Sequence, residues 1–162
     1  MKNIGILAII LLVGVAGAGR AEGQKCAAGI ILGDSNGLSA KLWLPEPGKK
    51  SGKLISPAID FAFGLNRDNT YLHLTFLSHN YSIISKGDLS GDIPLYYGIG
   101  LKYNSVKQKA NTGIRFCIGI EYLFKEIPFD IFGEFVPVLN ISPDITAELS
   151  VGLGIRYLFE LK

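Results

Sequence analysis

From Ala147 to Phe159 every second residue is apolar or small: Ala147, Leu149, Val151, Leu153, Ile155, Tyr157 and Phe159. Between them stand Glu148, Ser150, Gly152, Gly154, Arg156 and Leu158. A two-residue period of this length excludes an amphipathic helix and describes a strand with two chemically different faces. Ile114, Phe116, Ile118, Ile120, Tyr122 and Phe124 repeat the pattern against Gly113, Arg115, Cys117, Gly119, Glu121 and Leu123. Both runs exceed the usual five or six residues of a soluble strand. They are long enough to cross a bilayer at a tilt.

Turn signals cut the remaining chain into similar pieces. A strand over residues 27–32 meets Gly33-Asp34-Ser35-Asn36-Gly37, and a second over 38–44 stops at Pro45-Glu46-Pro47-Gly48. The third covers 57–65, and the fourth runs from Thr70 to about Ile84. The fifth covers 95–103, and the seventh, 129–139, lies between the two long runs. The expected fold is therefore all-β, an eight-stranded antiparallel up-and-down barrel in one domain.

The N-terminus is expected to be a leader rather than structure. Lys2 precedes an uncharged apolar stretch from Ile4 to Val15, and Gly19-Arg20-Ala21 offers small residues at a cleavage site. This places a signal peptide at 1–21 and the barrel domain at 22–162. The leader removes Lys2 and Arg20 but no acid, so the 16 basic residues of the whole chain become 14, matching 14 acidic ones. A neutral chain has no basic face for nucleic acid. Cys26 lies before the first strand and Cys117 in mid-strand, so a disulfide is not expected, and Cys117 reads as a small buried side chain.

Two barrels fit the alternation. A soluble, lipocalin-like periplasmic barrel would turn its apolar face inward around an apolar ligand, whereas a membrane barrel turns that face to lipid. An eight-stranded barrel holds little more than its own side chains. The Phe, Ile and Tyr face would overfill it, while the Gly, Ser, Ala and Cys face suits it. The membrane orientation is expected, with outer-membrane lipid as surroundings. If the N-terminus lies on the periplasmic side, Tyr122, Phe124, Phe129, Tyr157 and Phe159 share one level as an aromatic girdle.

The terminal strand ending in Tyr157-Leu158-Phe159 and the run Gly133-Glu134-Phe135-Val136-Pro137-Val138 resemble the small outer-membrane barrels of the OmpA-like and OmpX-like superfamily. So do Gly29-Ile30-Ile31-Leu32-Gly33-Asp34 and Leu42-Trp43-Leu44, which look like the opening hairpin of an uncharacterised branch. The resemblance covers about residues 27–162. It implies a bacterial outer-membrane location, a structural or interaction role, and handling by the outer-membrane insertion machinery during biogenesis.

Charges on the lumen parity are the one constellation with chemical content. Arg115 and Glu148 are expected to pair, as are Glu121 and Arg156, with Glu134 joining one or both pairs. Lys41, Asp60 and Lys102 extend the set. Such a network makes a polar interior tolerable, because a buried charge without a partner is costly; a proton or ion path is its functional version. A lipid A-modifying enzyme would need an activated nucleophile. His79 and Ser82 lack the spacing that puts them on one face, and His73 with Thr75 is a weak pair. No catalytic residue, cofactor motif or metal cluster is expected.

Overall fold

The computed structural model describes residues 24–33, 36–45, 55–66, 69–84, 90–107 and 109–161; the leader expected at 1–21 lies outside them. Eight strands follow in chain order: β1 (Gln24–Gly33), β2 (Gly37–Trp43), β3 (Ile55–Asn66), β4 (Asn69–Asn80), β5 (Leu95–Val106), β6 (Lys109–Leu123), β7 (Phe129–Ser142) and β8 (Thr146–Leu161). Each pairs antiparallel with the next, and β8 pairs with β1 to close the barrel. The connections β1–β2, β3–β4, β5–β6 and β7–β8 are tight turns at one end. The start of β1, the end of β8 and the wider gaps between β2 and β3, β4 and β5, and β6 and β7 lie at the other end.

β4 stops at Asn80, short of the expected Ile84. There the Asn80 carboxamide oxygen accepts bonds from the backbone N–H of Ser82 at 2.9 Å and from its hydroxyl at 2.7 Å. A side chain that captures the following backbone ends a ladder.

One circuit of the ladders measures how the barrel closes. Starting at Tyr157, the register passes Ala28, Ala40, Phe61, Leu74, Leu101, Ile114 and Leu139, and returns to β8 at Ala147. The return point lies ten residues from the start. A shift of that size over eight strands tilts them by about 40° and leaves a backbone radius of about 8 Å. Each step to the next strand then climbs about 3 Å toward the tight-turn end.

So narrow a lumen is filled by alternating large and absent side chains. The Tyr96 ring lies over Gly119 and the Phe132 ring over Gly154, where an added Cβ would collide with them. Gly119→Val is therefore expected to destabilise the barrel by about 1–3 kcal/mol through overpacking. Tyr96→Ala in the same chain should recover part of the loss, which a urea titration of single and double variants would measure. The two cysteines are free. Cys117 shares the lumen parity of Arg115 and Gly119, whereas Cys26 pairs in register with outward-facing Phe159, so the two point to opposite sides of the wall.

Candidate functional site: the ionic lumen

The lumen parity of every strand converges on the axis, and Arg156 occupies its centre. Its Nη1 donates to Asp60 Oδ1 at 2.7 Å, its Nη2 to Glu121 Oε1 at 2.9 Å, and its Nε to Asp130 Oδ1 at 3.1 Å. The guanidinium carbon lies 3.8 Å from the centre of the Phe132 ring. One side chain thus ties β8 to β3, β6 and β7. Lys41 from β2 extends the cluster, donating to Glu121 Oε1 at 2.8 Å, with the Trp43 and Tyr96 rings at 5.2 Å and 4.8 Å. All five charged groups are buried.

The histidines close the cluster on two sides. His79 Nδ1 lies 3.2 Å from the Ser56 carbonyl, which can only accept, so Nδ1 carries the hydrogen. Nε2 then accepts from Lys41 at 3.1 Å, and Glu121 Oε2, 3.4 Å away, is left without a donor among the described residues. His73 Nε2 reaches Asp60 Oδ2 at 3.0 Å, and its Nδ1 lies 2.8 Å from the Tyr71 hydroxyl. Both rings have their nitrogens committed to these partners. Ser82 Oγ is bonded to Asn80, and Thr75 Oγ1 accepts from Arg115 Nη1 at 2.6 Å. The histidine–hydroxyl pairs weighed from the sequence are thus directed elsewhere.

Of the two expected ion pairs, the structure forms one. Glu121 and Arg156 meet; Arg115 and Glu148 do not. Arg115 Nη2 instead donates to Glu134 Oε1 at 2.8 Å, whose other oxygen accepts from Cys117 at 3.3 Å. Glu148 pairs with Lys102 and accepts from Asn140 at 3.1 Å.

Strand tilt explains the difference. Arg115, Val138 and Glu148 share one line of register, yet two steps along that line lift Glu148 about 6 Å above Arg115. The long Arg115 side chain reaches the other way, to Thr75 and Glu134. Gly100, between Thr75 and Arg115 in register, leaves the path open. For Glu121 the line leads to Phe132 and Gly154, and Arg156 lies two residues further down β8. That descent of about 5 Å offsets the climb and brings the pair level.

Asp130 was not among the expected site residues, although its parity with Phe132 and Glu134 on β7 was the available signal. The five aromatics expected as a girdle gather at the end that bears the start of β1 and the end of β8. Phe129 and Tyr157 face each other in register, edge to face at 5.4 Å, and Tyr122 and Phe124 pack similarly at 4.6 Å. Phe159 lies beside them on the outward parity of β8.

No protein-family model and no curated protein matches the sequence. Among solved structures, the chain is similar to the N-terminal β-barrel domain of OprF from Pseudomonas aeruginosa, with a TM-score of 0.50 and 11% identity. The match covers 86% of this chain and 100% of that one. At that identity the likeness is one of fold alone, and the fold is a closed, eight-stranded antiparallel barrel.

Proposed function

We propose that this protein is an integral outer-membrane β-barrel with a structural or interaction role, its lumen closed by paired charges rather than open as a pore. The observation that carries this reading is the inversion of polarity across the wall. Ile30, Leu38, Ile55, Phe76, Ile99, Ile118, Phe135 and Val151, one from each of the eight strands, are 47–65% exposed on the outer face. Arg115, Arg156, Glu121 and Asp130 are at most 1% exposed inside. In water such a wall would be one continuous apolar patch, far beyond what a soluble monomer tolerates. In lipid it is the required surface.

Dimensions support the same reading. Along β8 the outward residues from Leu149 to Phe159 rise about 25 Å at a tilt of about 40°, the height of a membrane barrel's apolar band. The paired aromatics sit at one edge of that band, where amphipathic rings favour the interface. A soluble periplasmic barrel carrying an apolar ligand asks for the reverse distribution, with an apolar lumen and a polar exterior. A lipid A-modifying enzyme asks for a base beside a serine or threonine hydroxyl, whereas His73 meets the Tyr71 phenol and Asp60, and His79 meets Lys41 and the Ser56 carbonyl. The tight turns at one end offer little projecting surface, so an interaction role falls on the lipid-facing wall or on the end with the longer connections.

The test is fractionation with a heat-shift gel. The protein should sediment with outer membranes, resist SDS unboiled, and change mobility on heating. Recovery in the periplasm without detergent would overturn the reading.

A further inference from the structure

Arg156 divides one edge of its guanidinium between two carboxyl groups. Nε and Nη2 are neighbours on that edge, which a single carboxylate ordinarily spans with both of its oxygens. Here Nε lies 3.1 and 3.3 Å from the two oxygens of Asp130, while Nη2 donates to Glu121 Oε1 at 2.9 Å. The two acids are therefore held side by side, within hydrogen-bond reach of one another. Neither meets water: Glu121 is 1% and Asp130 0% exposed.

The charges around this pair do not balance. Arg156 and Lys41 supply two positive charges, and Asp60, Glu121 and Asp130, all ionised, would supply three negative ones. Arg115 and Lys102 are matched elsewhere, by Glu134 and Glu148. Donors fall short at the same place. Glu121 Oε1 accepts from both Lys41 and Arg156, whereas Oε2 is buried with no donor among the described residues. The pair is also faced by His79 from β4, by Tyr81 just beyond it, bonded to the Trp43 side chain, and by Tyr96 from β5. β1 contributes the uncharged Ala27, and at the rim the exposed Lys25 and Glu160 face each other in register. A second proton on His79 would serve Oε2 at 3.4 Å, but it would set an imidazolium against the Lys41 ammonium at 3.1 Å. His73 needs none, since its Nε2 donates to Asp60 and its Nδ1 accepts from Tyr71.

We propose that Glu121 and Asp130 form a proton-binding site, sharing one proton between their carboxyl groups at neutral pH. That proton brings the cluster to two charges of each sign and gives Oε2 its donor. Two carboxyl groups this close, out of water, do not both ionise. The folded chain then holds one proton more than the unfolded chain, whose carboxyls ionise at about pH 4. Stability therefore falls as pH rises from there, by up to about tenfold in the folding constant per pH unit, until the pair gives up its proton. Its loss sets two like charges side by side where Arg156 ties β6, β7 and β8 together, so alkaline conditions loosen the plug. The site lies in the lumen and stands whether or not lipid surrounds the wall.

The barrel is folded in detergent micelles and checked by the heat shift. A chain that folds only without detergent counts against the membrane reading, and is then measured in buffer. Infrared spectra in heavy water at neutral pH should show the carbonyl stretch of one protonated carboxylic acid per barrel. The band should vanish in Asp130→Asn and in Glu121→Gln, because each removes one charge of the pair and lets the remaining acid ionise. It should persist in His79→Gln. Asp130→Asn should also lose the parent's fall in urea midpoint with rising pH, because a carboxamide offers Oε2 a donor at every pH. Sodium chloride in place of choline chloride should leave the band unchanged. The proposal is overturned if the parent lacks the band, if both carboxyl variants keep it, or if His79→Gln alone abolishes it. Displacement of the band by sodium would also overturn it, marking a metal-ion site instead.

Discussion

Replacing Arg156 with leucine should lower the stability of the folded barrel by about 3–5 kcal/mol, the cost of leaving buried charges without their partner. The guanidinium serves Asp60, Glu121 and Asp130 at once, through three different nitrogens at 2.7–3.1 Å. Lys41 alone cannot balance three carboxylates. Arg156→Lys should recover only part of the loss, because a compact ammonium lacks the planar fork that spans partners on three strands.

Acidification should help the leucine variant, since a proton bound to an orphaned carboxylate removes its charge. Its deficit should therefore shrink as pH falls and widen as pH rises. The chain has a single tryptophan, Trp43, buried in the lumen beside His79 with ring centres 6.0 Å apart. Its fluorescence in a urea titration of the vesicle-folded barrel reports the midpoint. An unmoved midpoint would mean that water hydrates the cluster and that the lumen is not a sealed ionic plug.

The second large effect belongs to the outer face. Ile118 is 52% exposed and stands about midway up the apolar band defined by Leu149 and Phe159. Ile118→Arg should cost about 2–4 kcal/mol of folding free energy in vesicles, and Tyr157→Arg at the band edge about 0–1 kcal/mol. The depth dependence is the signature. A soluble barrel would tolerate arginine equally at both positions, because each side chain would meet water. Equal small effects would therefore favour the periplasmic alternative, and a steep difference the membrane.

Much of this architecture is legible in the residues because successive side chains along a strand point to opposite faces. The parity of Arg115, Cys117, Gly119 and Glu121 against Phe116, Ile118 and Ile120 places each side chain on its face of the wall. The same parity was available for Asp130, yet its position two residues into β7, next to a turn, hid it. His73 and His79 were legible as lumen residues. Their partners were not, since Tyr71, Asp60, Ser56 and Lys41 come from three strands.

The ion pairs mark where local pattern stops being sufficient. Counting from the turns puts Arg115 and Glu148 at a common height, and the ladder does align them. Only closure of the sheet shows that an aligned line is not a level one. The sequence by itself determined the strands, their faces and the exclusion of charge from the outer wall, because side-chain alternation is a property of each strand alone. The tertiary structure decided which charges meet, because the ten-residue shift around the barrel is a property of all eight strands together. That shift lifts Glu148 toward Lys102, drops Arg115 onto Glu134, and brings Arg156 level with Glu121.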